Sequence, residues 1–159
     1  MKQFFPLNDL ASEPYSSIIG YPHATKAQIK SRITELKKLG IHGISFEGPM
    51  TINKICVLGK GYAGIVVLAK YGTKKVALKI RRTDSPRKDM KGETTLLSAA
   101  NKIGVGPKLI SSSKNFVVME YISGKKIYDW VEELKGKGSA SKLKAVIKKV
   151  LTDCYKLDE

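Results

Sequence analysis

"GKGYAGIVVLAKYGTKKVALKI", residues Gly59 to Ile80, places three glycines in a GxGxxG spacing ahead of a lone lysine inside an apolar run. Such glycines serve as the turn of a dinucleotide-binding unit, as a loop that folds over phosphates, or as a plain hairpin bend. A dinucleotide unit needs strand, glycine turn and then helix, because the helix N-terminus holds the pyrophosphate. Here Gly64 is followed by Ile65, Val66, Val67 and Leu68, which is strand chemistry, and "YGT" then offers a hairpin turn. The dinucleotide reading fails on context. A strand, a glycine loop and an antiparallel strand remain, with backbone N–H groups able to approach phosphate oxygens where no side chain intervenes.

Strand alternation along "KVALKI" puts Val76, Leu78 and Ile80 on one face and Ala77 with Lys79 on the other. An ammonium on an apolar surface needs a counter-charge, since an unpaired buried one is very costly. The segment "TDSPRKDMKGETTLLSAANKIG", residues 83–104, is expected to supply it as a helix. Asp84 or Ser85 would cap its start, Pro86 would sit in the first turn and Gly104 would stop it. Met90, Glu93, Leu97 and Ala100 share one helical stripe, so Glu93 is an acid in a core-facing row. It is the residue placed to reach Lys79; Asp84 and Asp89 lie at the cap and on another face.

Residues 1–23 read as irregular, with Pro6, Pro14 and Pro22. "TKAQIKSRITELKKLG" reads as a helix capped by Thr25, apolar through Ile29, Ile33, Leu36 and Leu39, and stopped at Gly40. Its other face is basic: Lys26, Lys30, Arg32, Lys37 and Lys38. "IHGISFEG" offers a short strand with Ile44 and Phe46 on one side. "KICVLGKG", "IVVLAK" and "KVALKI" give strands, "PKLISSSKNFVVMEY" two more, and "KKIYDWVEELKG" and "KLKAVIKKVLTDCYKL" two closing helices. The mixture is α+β with mainly antiparallel pairing.

A chain of 159 residues suits one domain. No stretch approaches the roughly 20 apolar residues of a membrane span, and "MKQFFPLNDLASEP" is a poor signal peptide. Cys56 and Cys154 lie far apart without metal-ligand spacing, which reads as two buried thiols in a reducing cytoplasm. The formal charge of +15 attracts phosphate-bearing partners, including nucleotides, RNA and acidic proteins. It fits equally a lysine-rich proteome that keeps its proteins soluble.

Gly59, Gly61 and Gly64 with Val66 match GxGxxGxV, and Val76-Ala77-Leu78-Lys79 matches VAIK, with Glu93 in the next helix. In that order these residues resemble the N-terminal lobe of the protein kinase superfamily, over about residues 51–159. "NFVVMEYISG" looks like the fifth strand and hinge of that lobe. "GVGPKLI" and the basic helix look most like small atypical serine/threonine kinases of archaea, similar to the RIO and lipopolysaccharide-kinase groups. The resemblance implies a five-stranded antiparallel sheet with one helix over residues 51–121. An extension with the basic helix (1–50) would precede it, and a hinge with the first helices of a second lobe (122–159) would follow. It implies ATP as cofactor, with Lys79 on the α- and β-phosphates and Glu93 orienting Lys79. Gly59, Lys60, Gly61, Tyr62 and Gly64 would cover the nucleotide, and Val66 and Ala77 would cover adenine. Met119 would stand at the gatekeeper position, and the Glu120 carbonyl and Ile122 backbone would hydrogen-bond the base.

Phosphoryl transfer also needs an HRD-type aspartate, an asparagine and a DFG-type aspartate that holds magnesium. His23 and His42 both precede the glycines, and the last aspartates are Asp153 and Asp158. No metal ligands are expected here, and magnesium is expected only in a complete enzyme. The leading expectation is the ATP-binding part of a longer serine/threonine kinase, itself inactive, with its phosphate acceptor undefined. A non-catalytic module that binds nucleotide and RNA or a ribosomal particle, and the lobe of a small-molecule kinase, stand as alternatives.

Overall fold

The computed structural model describes residues 3–136 and 138–158. In chain order the elements are β1 (Phe5–Pro6), a 3-10 turn (Asp9–Ala11), α1 (Ser16–Ile19), α2 (Lys26–Lys38) and β2 (Ile41–Ser45). Then come β3 (Met50–Ile52), β4 (Ile55–Val57), β5 (Gly59–Lys60), β6 (Gly64–Tyr71), β7 (Lys74–Arg81) and α3 (Lys91–Lys102). The chain closes with β8 (Leu109–Ser112), β9 (Phe116–Glu120), α4 (Ile127–Glu133) and α5 (Ser139–Asp158). The fold is α+β around an antiparallel sheet.

The sheet has seven strands where five were expected, in the order β1-β2-β6-β7-β9-β8 with β5 also on β6; β3 and β4 form a separate hairpin. The two outer strands come from the first fifty residues: β2 is the short strand expected in "IHGISFEG", and β1 is additional. β2 pairs along β6, with Ile44 opposite Ala69, and β1 pairs β2, with Phe5 opposite Ile44. Phe5, Tyr15 and Phe46 pack ring to ring, Tyr15 and Phe46 stacked at 4.9 Å. Residues 1–23 are thus less irregular than their prolines suggest: Leu7, Leu10, Ile18 and Ile19 are all buried in the main core.

α2 begins and ends as expected. The Thr25 hydroxyl accepts from the Gln28 N–H and the Gln28 side chain accepts from the Thr25 N–H, which satisfies two otherwise orphaned donors. Ile29, Ile33 and Leu36 pack on the sheet face made by Ile65, Val67, Val76, Leu78, Ile80, Phe116 and Val118. One residue of the supposed basic face departs from it. Arg32 is buried, at 4% exposure. Its guanidinium donates to the carbonyls of Ile19 (2.6 Å) and Arg81 (2.9 Å) and to Asn115 Oδ1 (3.4 Å). Burial pushes its pKa down to about 10, helped by Arg81 and opposed by Glu35. The unfolded chain holds that proton more tightly, so at neutral pH the buried charge costs stability, which the hydrogen bonds offset.

α3 starts at Lys91, not at Asp84 or Ser85. The segment before it is held outside a helix by its own polar groups. Arg82 clasps both carboxylate oxygens of Asp84 (2.8 and 2.6 Å), which raises the arginine pKa and lowers that of the acid. Arg81 donates to the carbonyls of Arg82 and Arg87, and the Thr83 N–H bonds Tyr21 O at 2.8 Å. Asp89 receives the Lys91 N–H at 2.9 Å, so the acid nearest the helix caps it. Pro86 lies in this irregular stretch rather than in a first turn. The thiols also differ from expectation: Cys56 is half-buried and Cys154 exposed, and both are free. Among the described residues no helix is long and apolar enough to cross a membrane.

Replacing Arg32 by Ala strips the Ile19 and Arg81 carbonyls of their shared donor. We expect a loss of about 2–4 kcal/mol in urea unfolding. Lys30→Ala, on the exposed side of the same helix, should change stability by less than about 0.5 kcal/mol. Equal effects would show that Arg32 does not carry the α2–sheet junction.

Candidate functional site

The glycine stretch forms a strand, a tight turn and an antiparallel strand. Gly59 stands opposite Val66 and Lys60 opposite Ile65, and the Gly61 N–H closes the turn on Gly64 O at 2.8 Å. Tyr62 is the exposed tip, at 79% exposure, while Ala63 tucks beneath and its carbonyl accepts the Arg82 N–H. The three glycines are not equivalent. A Cβ on Gly64 would lie 2.8 Å from Ile80 O and 3.2 Å from the Lys79 side-chain carbons. A Cβ on Gly59 would meet nothing within 4 Å, and one on Gly61 would stand 3.7 Å from Gly64 O. The fold itself therefore needs the third glycine and leaves clear space above the first two.

β6 and β7 pair without a break, and β9 continues the register. Val66, Lys79 and Val117 form one row across the three strands; Leu68, Ala77 and Met119 form the next. All six lie on the sheet face opposite the α2 core, as the alternation of "KVALKI" requires. Lys79 Nζ donates to Glu93 Oε1 from the first turn of α3, and the two side chains are 23% and 22% exposed. The pair inferred from spacing is present. Asp84 and Asp89 are engaged elsewhere, as described above.

An open cleft of about 930 Å³ lies beside this face, lined by Leu58, Ala77, Pro107, Met119, Glu120 and Ile122 among others. It brings together four of the expected base-contacting residues. Glu120 is fixed by its N–H on Lys108 O (2.8 Å) and by its carboxylate accepting the Lys108 N–H (3.2 Å). Ile122 belongs to the extended segment that leads from β9 to α4 and is 65% exposed. Lys79 and Val66 lie one row further along the same face, outside the lining of the cleft. Lys60 turns away: its ammonium sits over the Tyr21 ring, 5.0 Å from the centroid, and its N–H donates to Met50 Sδ. Among the described residues no group of three or more His, Cys, Asp or Glu side chains could hold a metal ion.

Several supporting residues carry no sequence signal. Leu58 and Pro107 line the cleft from "KICVLGKG" and "GVGPKLI", stretches in which neither residue stands out. Arg87 donates to Glu93 Oε2 at 3.0 Å from the irregular stretch before α3. Asn101 clamps "GVGPKLI" by donating to the carbonyls of Val105 and Pro107 and accepting the Leu109 N–H. A polar residue near a helix end is common, so its role is visible only once the chain returns over it.

No family model matches this chain, and no curated protein matches it.

Gly64→Ala should cost about 1–3 kcal/mol, because the added methyl must push β6 off β7 or displace the lysine stem. Gly59→Ala and Gly61→Ala should leave the thermal midpoint nearly unchanged. A Gly64→Ala protein as stable as the parent would refute this steric distinction.

Proposed function

We propose that this chain forms the nucleotide-binding lobe of an atypical serine/threonine-kinase-like phosphotransferase. The observation that carries the reading is the Lys79–Glu93 pair, a cation and an acid placed together beside a glycine turn and next to a cleft lined in part by Leu58, Ala77 and Met119. Adenine would lie against Ala77, Val66 and Leu58, next to Met119, with the Glu120 carbonyl and Ile122 backbone reading its edge. The triphosphate would run toward Lys79 under the Gly59–Gly64 turn, whose first two glycines present no side chain to block it. Glu93 holds the ammonium toward that path and removes the penalty of a lone charge on an apolar face. Magnesium would neutralise the β- and γ-phosphates in such chemistry. Among the described residues no group of three or more His, Cys, Asp or Glu side chains stands ready to hold it.

A ligand that binds only the folded state stabilises it by about 2.7 kcal/mol at a hundredfold excess over Kd. Millimolar ATP should therefore raise the melting temperature of the parent. Lys79→Ala should remove most of the difference between ATP and adenosine, and Glu93→Ala should reduce it. Adenosine, held by the cleft, should bind both variants nearly as well. Absence of any ATP shift, or both variants behaving as the parent, would reduce these glycines to a hairpin bend.

A second reading, a module that binds RNA, draws on a specific feature of α2. Lys26, Lys30 and Lys37 border a groove of about 850 Å³ between α2 and the segment around Asn8 and Glu13. Binding there should weaken steeply with salt, by about 0.7 in the log–log slope for each single-strand phosphate contacted. Salt-independent binding, or none at low salt, would assign α2 a purely structural role.

A further inference from the structure

Glu93 has two cationic partners. Lys79 takes Oε1, while Arg87 Nη1 donates to Oε2 at 3.0 Å. Arg87 belongs to the irregular segment between β7 and α3, and its backbone is fixed there. Its carbonyl accepts from Arg81 at 3.0 Å and its N–H donates to the Ser85 hydroxyl at 3.3 Å. Its side chain is half exposed. Three arginines and lysines of the same region are committed elsewhere: Arg82 to Asp84, Arg81 to Asn115 and to main-chain carbonyls, Lys60 to the Tyr21 ring. Among the described residues, Glu93 is the only side-chain partner of the Arg87 guanidinium.

The charge count gives this contact a consequence. Lys79 and Glu93 alone make a neutral pair, and a polyphosphate arriving at a neutral pair gains little net Coulomb energy. Arg87 makes the group a triad of net charge +1. It also keeps Glu93 paired when the ammonium turns toward a phosphate oxygen, so that Lys79 can be shared without stranding a half-buried carboxylate. We propose that Arg87 is a positioning residue of the phosphate site: it completes a Lys79–Glu93–Arg87 triad that recognises the polyphosphate of a nucleotide. This rests on the nucleotide-lobe reading above and adds to it the residue that supplies the site's excess positive charge.

The test uses the full chain as the parent, Arg87→Ala and Arg87→Lys, titrated calorimetrically with ATP, adenosine and inorganic tripolyphosphate at one fixed ionic strength. Arg87→Ala should lose at least about fivefold in affinity for ATP and tripolyphosphate, as expected for removing one charge a few ångströms from a polyanion. Adenosine affinity should be unchanged. Arg87→Lys should recover most of the loss, because the contact to Glu93 is a single hydrogen bond that an ammonium can replace. A merely structural arginine would move adenosine and ATP together, and that result would overturn the inference. So would Arg87→Ala binding ATP like the parent, with the nucleotide reading left standing. Arg87-dependent tripolyphosphate binding without ATP or adenosine binding would support the triad as a phosphate site and overturn the nucleotide reading. Binding of none of the three would overturn both.

Discussion

A lysine ammonium on the apolar face of a sheet constrains everything around it. Lys79 cannot slip by one residue, because strand alternation would drive it into the α2 core and bring Leu78 or Ile80 out. The β6–β7 ladder accordingly runs without a bulge from Gly64 opposite Arg81 to Tyr71 opposite Lys74. The rotation of α3 is fixed as well, since only one roll about its axis turns Glu93 to the sheet while Met90 stays buried. Gly64 completes the constraint: a Cβ there would crowd the Ile80 carbonyl at 2.8 Å and the lysine stem at 3.2 Å. Strand register, helix orientation and glycine placement are thus one condition expressed at three positions.

The opposite face is closed by different means. Apolar side chains of α2 supply area, which is non-directional, and a polar node at one edge supplies orientation. Asn115 Oδ1 accepts from Arg81 and Arg32, while its N–H and amide group donate to the two carboxylate oxygens of Glu35, each at 2.7 Å. The node joins α2, the end of β7 and the β8–β9 turn. Arg81 then passes the connection to the Arg87 carbonyl. The helix that covers the core face and the segment that carries the third member of the triad are therefore linked by a short run of hydrogen bonds.

The parts of this architecture that were legible in the sequence are those set by local period. "KVALKI" reveals its two faces by alternation, Thr25 its cap, and Glu93 its stripe by helical spacing, so the ion pair could be inferred before any contact was known. What stayed hidden depends on non-local partners. Arg32 looks like one more lysine-like residue on a basic face until Ile19 and Arg81 bring their carbonyls to it. Strand β1 is two residues long, too short for a pattern, and the pairing of β2 onto the main sheet, foreseen only as a short strand, exists because β6 offers an edge. The start of α3 was misplaced because Asp84 and Pro86 are good helix openers locally, yet Arg82 claims the acid and Tyr21 claims the backbone at Thr83. Arg87 has no helical or strand period at all, so its approach to Glu93 follows only from that misplaced boundary.

These links give the first fifty residues a direct bearing on the site. Tyr21 lies between two cations, with Lys60 from the glycine hairpin at 5.0 Å and Arg82 from the end of β7 at 5.2 Å from its ring centroid. Its carbonyl accepts from both the N–H and the hydroxyl of Thr83. Met50 adds a second hold on the hairpin through the Lys60 N–H. One residue before α2 thus touches the strand entering the glycine turn and the stretch leading to Arg87, the two least regular parts of the site. A lobe cut at residue 51 would keep its motif residues and lose Tyr21, Met50 and the β2 edge. The boundary that the motifs suggest is therefore not the boundary of the structure that positions them.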